Sequence, residues 1–94
     1  MKNLFIGIDF KKKKIDATII TASGLEELSA RAYDSFTTTV SGYNKFVKWV
    51  KKNSNDIEES AWLFCGENTG DYSKPLCNYL YGKGYDIWLE NAKC

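Results

Sequence analysis

The chain has 94 residues, 44% of them apolar and 15% aromatic, which suits one small globular core and is too short for a multidomain enzyme. With 27% charged residues and no low-complexity block, disordered and fibrous classes are excluded. Lys and Arg number 13 against 12 Asp and Glu, a formal charge of +1, so any polyanionic partner must be argued from local patches.

The stretch from Asn3 to Phe10 is almost continuously apolar, the pattern of a strand covered on both faces. After the polar run Lys11 to Lys13, a β-branched pattern resumes in Ile15, Thr18, Ile19, Ile20 and Thr21, and the tight link predicts an antiparallel hairpin. Ala22-Ser23-Gly24 is a turn signal. Beyond it Leu28, Ala30, Ala32 and Phe36 alternate with polar residues at period two, giving a third strand with one wetter face.

Tyr43, Phe46, Val47 and Val50 then fall at i, i+3, i+4 and i+7, the stripe of an amphipathic helix with Ser41 as N-cap and Asn53 as stop. Trp49 sits off that stripe and is expected to be partly exposed. A polar linker from Asn53 to Glu59 leads to Ala61 to Cys65, a second fully apolar strand. The turn Gly66 to Gly70 follows, placing Glu67 just past that strand. Tyr72, Leu76, Tyr79 and Leu80 mark a second helix with Pro75 near its first turn, ended by Gly82 and Gly84. Tyr85 to Leu89 is the fifth strand; Trp62 and Trp88, both in strands, are expected in the core.

The order β-β-β-α-β-α-β, with two right-handed crossovers in one direction, predicts a mixed five-stranded α/β sheet of order 3-2-1-4-5 with both helices on one face. Phe5 and Phe10 are expected opposite Leu4, Ile6 and Ile8, and Trp62 and Phe64 opposite Leu63 and Cys65, so one apolar face would be bare. Such a face predicts a homo-oligomer.

There is no histidine, which excludes His-based nucleophile pairs, general bases and metal sites. Cys65, Cys77 and Cys94 lack C-x-x-C spacing and read as reduced thiols of a cytoplasmic protein. Asp9 ends the first apolar run before it reaches signal-peptide length, and no segment approaches the roughly 18 apolar residues of a membrane span. Carboxylates remain. Asp9 and Glu67 are predicted at the carboxyl edge of neighbouring parallel strands, where open α/β sheets place their sites. Two converging carboxylates stay ionised together when a cation lies between them, and oxygen-only ligation points to Mg²⁺ or Mn²⁺. Lys11, Lys12, Lys13 and Lys14 form the densest charge run, at the hairpin tip close to Asp9. It reads either as a solvated turn or as a set of phosphate contacts beside the acids.

Phe5-Ile6-Gly7-Ile8-Asp9, then Lys12 and Ile15-Asp16, followed by Glu67-Asn68-Thr69-Gly70-Asp71-Tyr72, Leu76, Leu80 and Gly84, resembles the amino-terminal part of the DEDD insertion-sequence transposases related to the Piv invertases. The resemblance covers residues 1–94 and implies a ribonuclease H-like, RuvC-like fold. It implies DNA strand cleavage and transfer, with Asp9 and Glu67 as the first two of four catalytic, metal-binding acids, Mg²⁺ or Mn²⁺ as cofactor, and DNA as partner. A guide RNA accompanies some relatives. The family's Asp-x-x-Asp pair and its carboxyl-terminal serine do not occur in these 94 residues, and Lys11 stands where the family has Ser. The chain therefore reads as an inactive amino-terminal portion of the catalytic domain, 1–94. Asp16 and Asp71 match family positions, but also read as a strand polar residue and a helix N-terminal acid. Two other readings stand beside this one: an actin-like or sugar-kinase-like ATPase, a class that also opens with Gly-Ile-Asp, and a non-catalytic interaction module.

Overall fold

The computed structural model describes residues 3–23, 27–54, 57–68 and 70–91. The turn at Gly24, part of the Asn53 to Glu59 linker, Thr69 of the acidic motif, and Cys94 lie outside them, as do the side chains of Leu28 and Ala30. Five strands form one sheet: β1 (Leu4–Phe10), β2 (Lys14–Ser23), β3 (Glu27–Thr37), β4 (Trp62–Asn68) and β5 (Ile87–Asn91). Their order is β3-β2-β1-β4-β5, as the apolar runs predicted. β1 pairs antiparallel with β2 and parallel with β4, and β4 pairs parallel with β5. Helices α1 (Val40–Lys52) and α2 (Lys74–Gly82) make the two crossovers. None of the described helices is long and apolar enough to cross a membrane.

Both helices pack on one sheet face. Leu4, Ile6, Ile8 and Phe10 of β1, Ile15, Ala17 and Ile19 of β2, and Trp62 and Phe64 of β4 form one buried cluster with Tyr43, Phe46, Val47 and Val50 of α1 and Leu76 and Leu80 of α2. Phe10 thus belongs to the helix face; its even position puts it with Leu4, Ile6 and Ile8, not against them as expected. Rings tie the layers together, Phe46 meeting Phe64 edge-on at 5.7 Å and Trp62 stacking on Tyr85 at 5.6 Å.

The opposite face has no helix over it among the described residues. Phe5, Leu63 and Cys65 there are only half-buried, while Tyr33 is 65% and Trp88 64% exposed. Trp62, at 2% exposure, is the core residue expected, but Trp88 is not. Alternation decides this: Trp88 pairs with Cys65, so it shares that residue's open face. Trp49 is half-buried against Phe36 and Phe46, as expected.

The ends of several elements depart from the sequence reading, β5 running Ile87–Asn91 rather than Tyr85 to Leu89. Thr39, not Ser41, caps α1, its hydroxyl oxygen accepting from the Gly42 amide at 3.0 Å. β4 extends through Asn68, so Glu67 lies inside the strand rather than past it. Pairing of Glu67 with Glu90 and of Asn68 with Asn91 holds these polar residues in the ladder. Asn53 ends α1 as expected, its side-chain amide donating to the Trp49 carbonyl at 2.8 Å.

Candidate functional site

Parallel pairing of β1 with β4 sets the site. Ile8 is the partner of Gly66, so Asp9 and Glu67, the next residue of each strand, stand at one level near the carboxyl ends of neighbouring parallel strands. Both are exposed, and both alternate onto the open face with Gly7 and Cys65. Gly66, the residue before Glu67, leaves room on the helix face for Phe10. The Phe10 ring lies over it from the helix face, so closely that a Cβ at Gly66 would fall 2.7 Å from Phe10 Cε2.

Asn68 fixes the turn after Glu67. Its side-chain oxygen accepts from the Gly70 amide at 3.0 Å and from the Ser73 hydroxyl at 3.2 Å. Ser73, 1% exposed, also donates to the Gly70 carbonyl at 3.0 Å. The acidic motif is therefore organised by its own asparagine at the start of α2. Asp71 is exposed, in a short 3₁₀ turn before α2 rather than in its first turn.

Glu67 lines an open cleft of about 480 Å³ together with Gly7, Cys65, Trp88 and Glu90. Asp9 lines a neighbouring cleft of about 460 Å³ with Asp16, Thr18 and Tyr33, and Gly7 and Ile8 border both. Glu90, the partner of Glu67, is an acid the sequence reading missed, because it ended the fifth strand at Leu89. Cys65 is no candidate nucleophile: burial pushes its thiol up, away from the reactive thiolate.

The second group the sequence reading undervalued is Asp16. It is the cross-strand partner of Asp9, shares its face, and its side chain is only 9% exposed. Ser35 on β3 donates its hydroxyl to Asp16 Oδ1 at 2.6 Å. Lys11 Nζ lies 2.9 Å from Asp16 Oδ2, and Lys14 Nζ 3.5 Å from Oδ1. The Ser35 hydrogen bond first, and the Lys11 and Lys14 charges with it, pull the Asp16 carboxyl down to about 2. Asp16 in turn pushes the Lys11 ammonium up. The same ammonium lies 4.0 Å from Asp9 Oδ2. Lys12 and Lys13 are exposed at the hairpin tip, which the Lys11 amide closes on the Lys14 carbonyl at 3.0 Å.

Asp9 and Glu67 fit a hard divalent cation in donor type, since Mg²⁺ is commonly held by one or two carboxylates with water filling its other positions. Among the described residues, no group of three or more His, Cys, Asp or Glu is placed to hold a metal.

No family model matches the sequence, and no curated protein matches it. Among solved structures, the chain is similar to the fowlpox virus Holliday junction resolvase, with a TM-score of 0.61 at 12% identity over 94% of this chain. The chain spans 60% of that resolvase. It is also similar to the Aquifex aeolicus member of the Ppx/GppA family, with a TM-score of 0.48 at 12% identity over 95% of this chain and 35% of that one. The second likeness is too low to carry an argument. The first, with the observed strand order, makes the fold ribonuclease H-like of the RuvC kind.

Proposed function

We propose that the chain belongs to a DNA-processing enzyme that cuts and transfers strands with a divalent cation, and that Asp9 and Glu67 are two of its metal ligands. The observation that carries this reading is that these acids stand at one level near the carboxyl ends of adjacent parallel strands, on one face of a ribonuclease H-like sheet. The solved structure that supports the fold is a Holliday junction resolvase, a protein named for resolving Holliday junctions. The motifs around Asp9 and Glu67 narrow the proposal to a DEDD transposase, with Mg²⁺ or Mn²⁺ as cofactor. Such an ion, when bound, activates the attacking oxygen and stabilises the leaving one.

Lys11, Lys12, Lys13 and Lys14, next to Asp9, are the proposed DNA phosphate contacts. Self-association through the open face belongs to the same reading, supported by the exposure of Tyr33 and Trp88. With two of the four acids that the resemblance calls for, the 94 residues by themselves should not cut or join DNA. Mg²⁺-dependent cleavage by the pure chain would overturn that part.

The direct test is Mn²⁺ titration followed by electron paramagnetic resonance. Weak binding, lost in D9N and in E67Q, is expected. A D9N/E67Q double variant that binds Mn²⁺ as the unmodified chain does would overturn the metal-site reading.

A further inference from the structure

The four lysines of the hairpin tip are equivalent in sequence but not in structure. Lys11 alone bridges two acids, at 2.9 Å from Asp16 and 4.0 Å from Asp9, whereas among the described residues neither Lys12 nor Lys13 forms an ion pair. The partner that holds it is unusual for a surface pair. Asp16 is 9% exposed, stands in the strand next to β1, and is itself fixed by Ser35 from a third strand. An exposed lysine ordinarily samples many rotamers and must be immobilised when it meets a ligand. Here that ordering is already done by a rigid acceptor, while 48% of the Lys11 side-chain surface stays open to solvent. An ammonium has three donors, so contact with Asp16 leaves it capacity for a further oxygen ligand.

We propose that Asp16, fixed by Ser35, is a positioning residue that holds the Lys11 ammonium beside Asp9 as a built-in cation for a DNA phosphate. The proposal rests on the DNA-processing reading of the Asp9 edge and deepens it: Lys11 is held between Asp16 and Asp9, Lys14 is tied to Asp16 alone at 3.5 Å, and Lys12 and Lys13 add only diffuse charge. It also gives Lys11, the departure from the family's serine, a role of its own.

The sign of the D16N effect separates this role from plain electrostatics. Neutralising an acid beside a DNA site should tighten binding if charge alone matters. If Asp16 acts by positioning Lys11, D16N weakens binding instead. S35A changes no charge, and loss of a neutral hydroxyl contact would leave the salt slope as it is, so a lowered slope in S35A reports the geometry of Asp16 and the lysines it holds.

The experiment is fluorescence anisotropy of a short labelled DNA duplex with the 94-residue chain, over a series of KCl concentrations with Mn²⁺ present. K11M is expected to weaken binding about threefold and to lower the salt slope by about 0.9, one phosphate contact. D16N and S35A are expected to move affinity and slope the same way, with native circular dichroism. D16N binding as tightly as the unmodified chain or tighter, beside a weakened K11M, would overturn the proposal. Should D16N fail to fold, S35A decides: unmodified affinity and slope overturn it. Absence of DNA binding by the unmodified chain is a separate result, visible before any variant is made. It would remove the DNA-processing reading, and this inference with it.

Discussion

Tyr85 donates its hydroxyl to Glu59 Oε2 at 2.9 Å while its ring stacks on Trp62 at an interplanar angle of 16°. Burial first, and the Glu59 carboxylate second, push the Tyr85 hydroxyl from 10.0 up to about 12. The folded chain therefore favours the neutral phenol more than the unfolded chain does. This contribution is complete below pH 10 and is lost as pH rises through about 12. Thermal melts across that window should show the melting temperature falling more steeply in the unmodified chain than in Y85F, and one of the six tyrosines should ionise near pH 12 by ultraviolet absorbance. Equal alkaline slopes in the two proteins would refute the assignment.

The start of α1 is pressed onto the end of β3. A Cβ on Gly42 would fall 2.1 Å from the Thr37 carbonyl oxygen and 2.4 Å from its hydroxyl, both too close to be met by a side-chain adjustment alone. Alanine is the better helix former by about 1 kcal/mol, yet G42A should destabilise by about 1–3 kcal/mol because backbone has to move. T39A, which removes the cap, should cost about 1 kcal/mol. Urea denaturation measures both; a stabilised G42A would mean that the close approach is absent.

Strand order and helix positions were legible because they rest on patterns that the whole fold reinforces. The apolar runs of β1 and β4 had to be central, and Tyr43, Phe46, Val47 and Val50 could share only a helix face. Single-residue details depended on tertiary pairing instead. In the run Thr37-Thr38-Thr39-Val40-Ser41 any hydroxyl can cap, and the choice of Thr39 follows from which oxygen reaches the Gly42 amide. Glu67 read as a loop acid from its Gly, Asn and Thr neighbours, yet pairing with β5 keeps it in the strand. The level of Asp9 with Glu67 followed from topology alone. The Ser35-Asp16-Lys11 chain did not, because it joins three segments of which one, β3, carries no chemical motif.

The core is one-sided, and two adjacent residues of β4 report it. Phe64 is fully buried among Phe46, Trp62 and Tyr85, whereas its neighbour Leu63 points to the open face and is half-buried. F64A should cost about 3–5 kcal/mol, a large share of the roughly 5–15 kcal/mol that holds a domain folded. L63A should cost less, about 1–2 kcal/mol in the dilute chain, since the half-buried leucine keeps part of its side chain in water after folding. Comparable losses in the two variants by urea denaturation would show that both faces of β4 are covered.

Trp88 gives the sharpest test of whether the open face stays open. Of the three tryptophans it is 64% exposed, Trp62 is 2% exposed, and Trp49 is packed against the core. In dilute solution, iodide should quench a red-shifted emission that W88F removes, leaving a blue, protected remainder from Trp62 and Trp49. If a second copy covers this face, raising the protein concentration should shift the Trp88 emission to the blue and protect it from iodide, with a matching rise in mass by light scattering. Quenching that stays constant while the chain remains monomeric at high concentration would exclude self-association through the face. Protection of Trp88 in a dilute monomer would contradict the exposed face itself, and with it the open clefts beside Glu67 and Asp9.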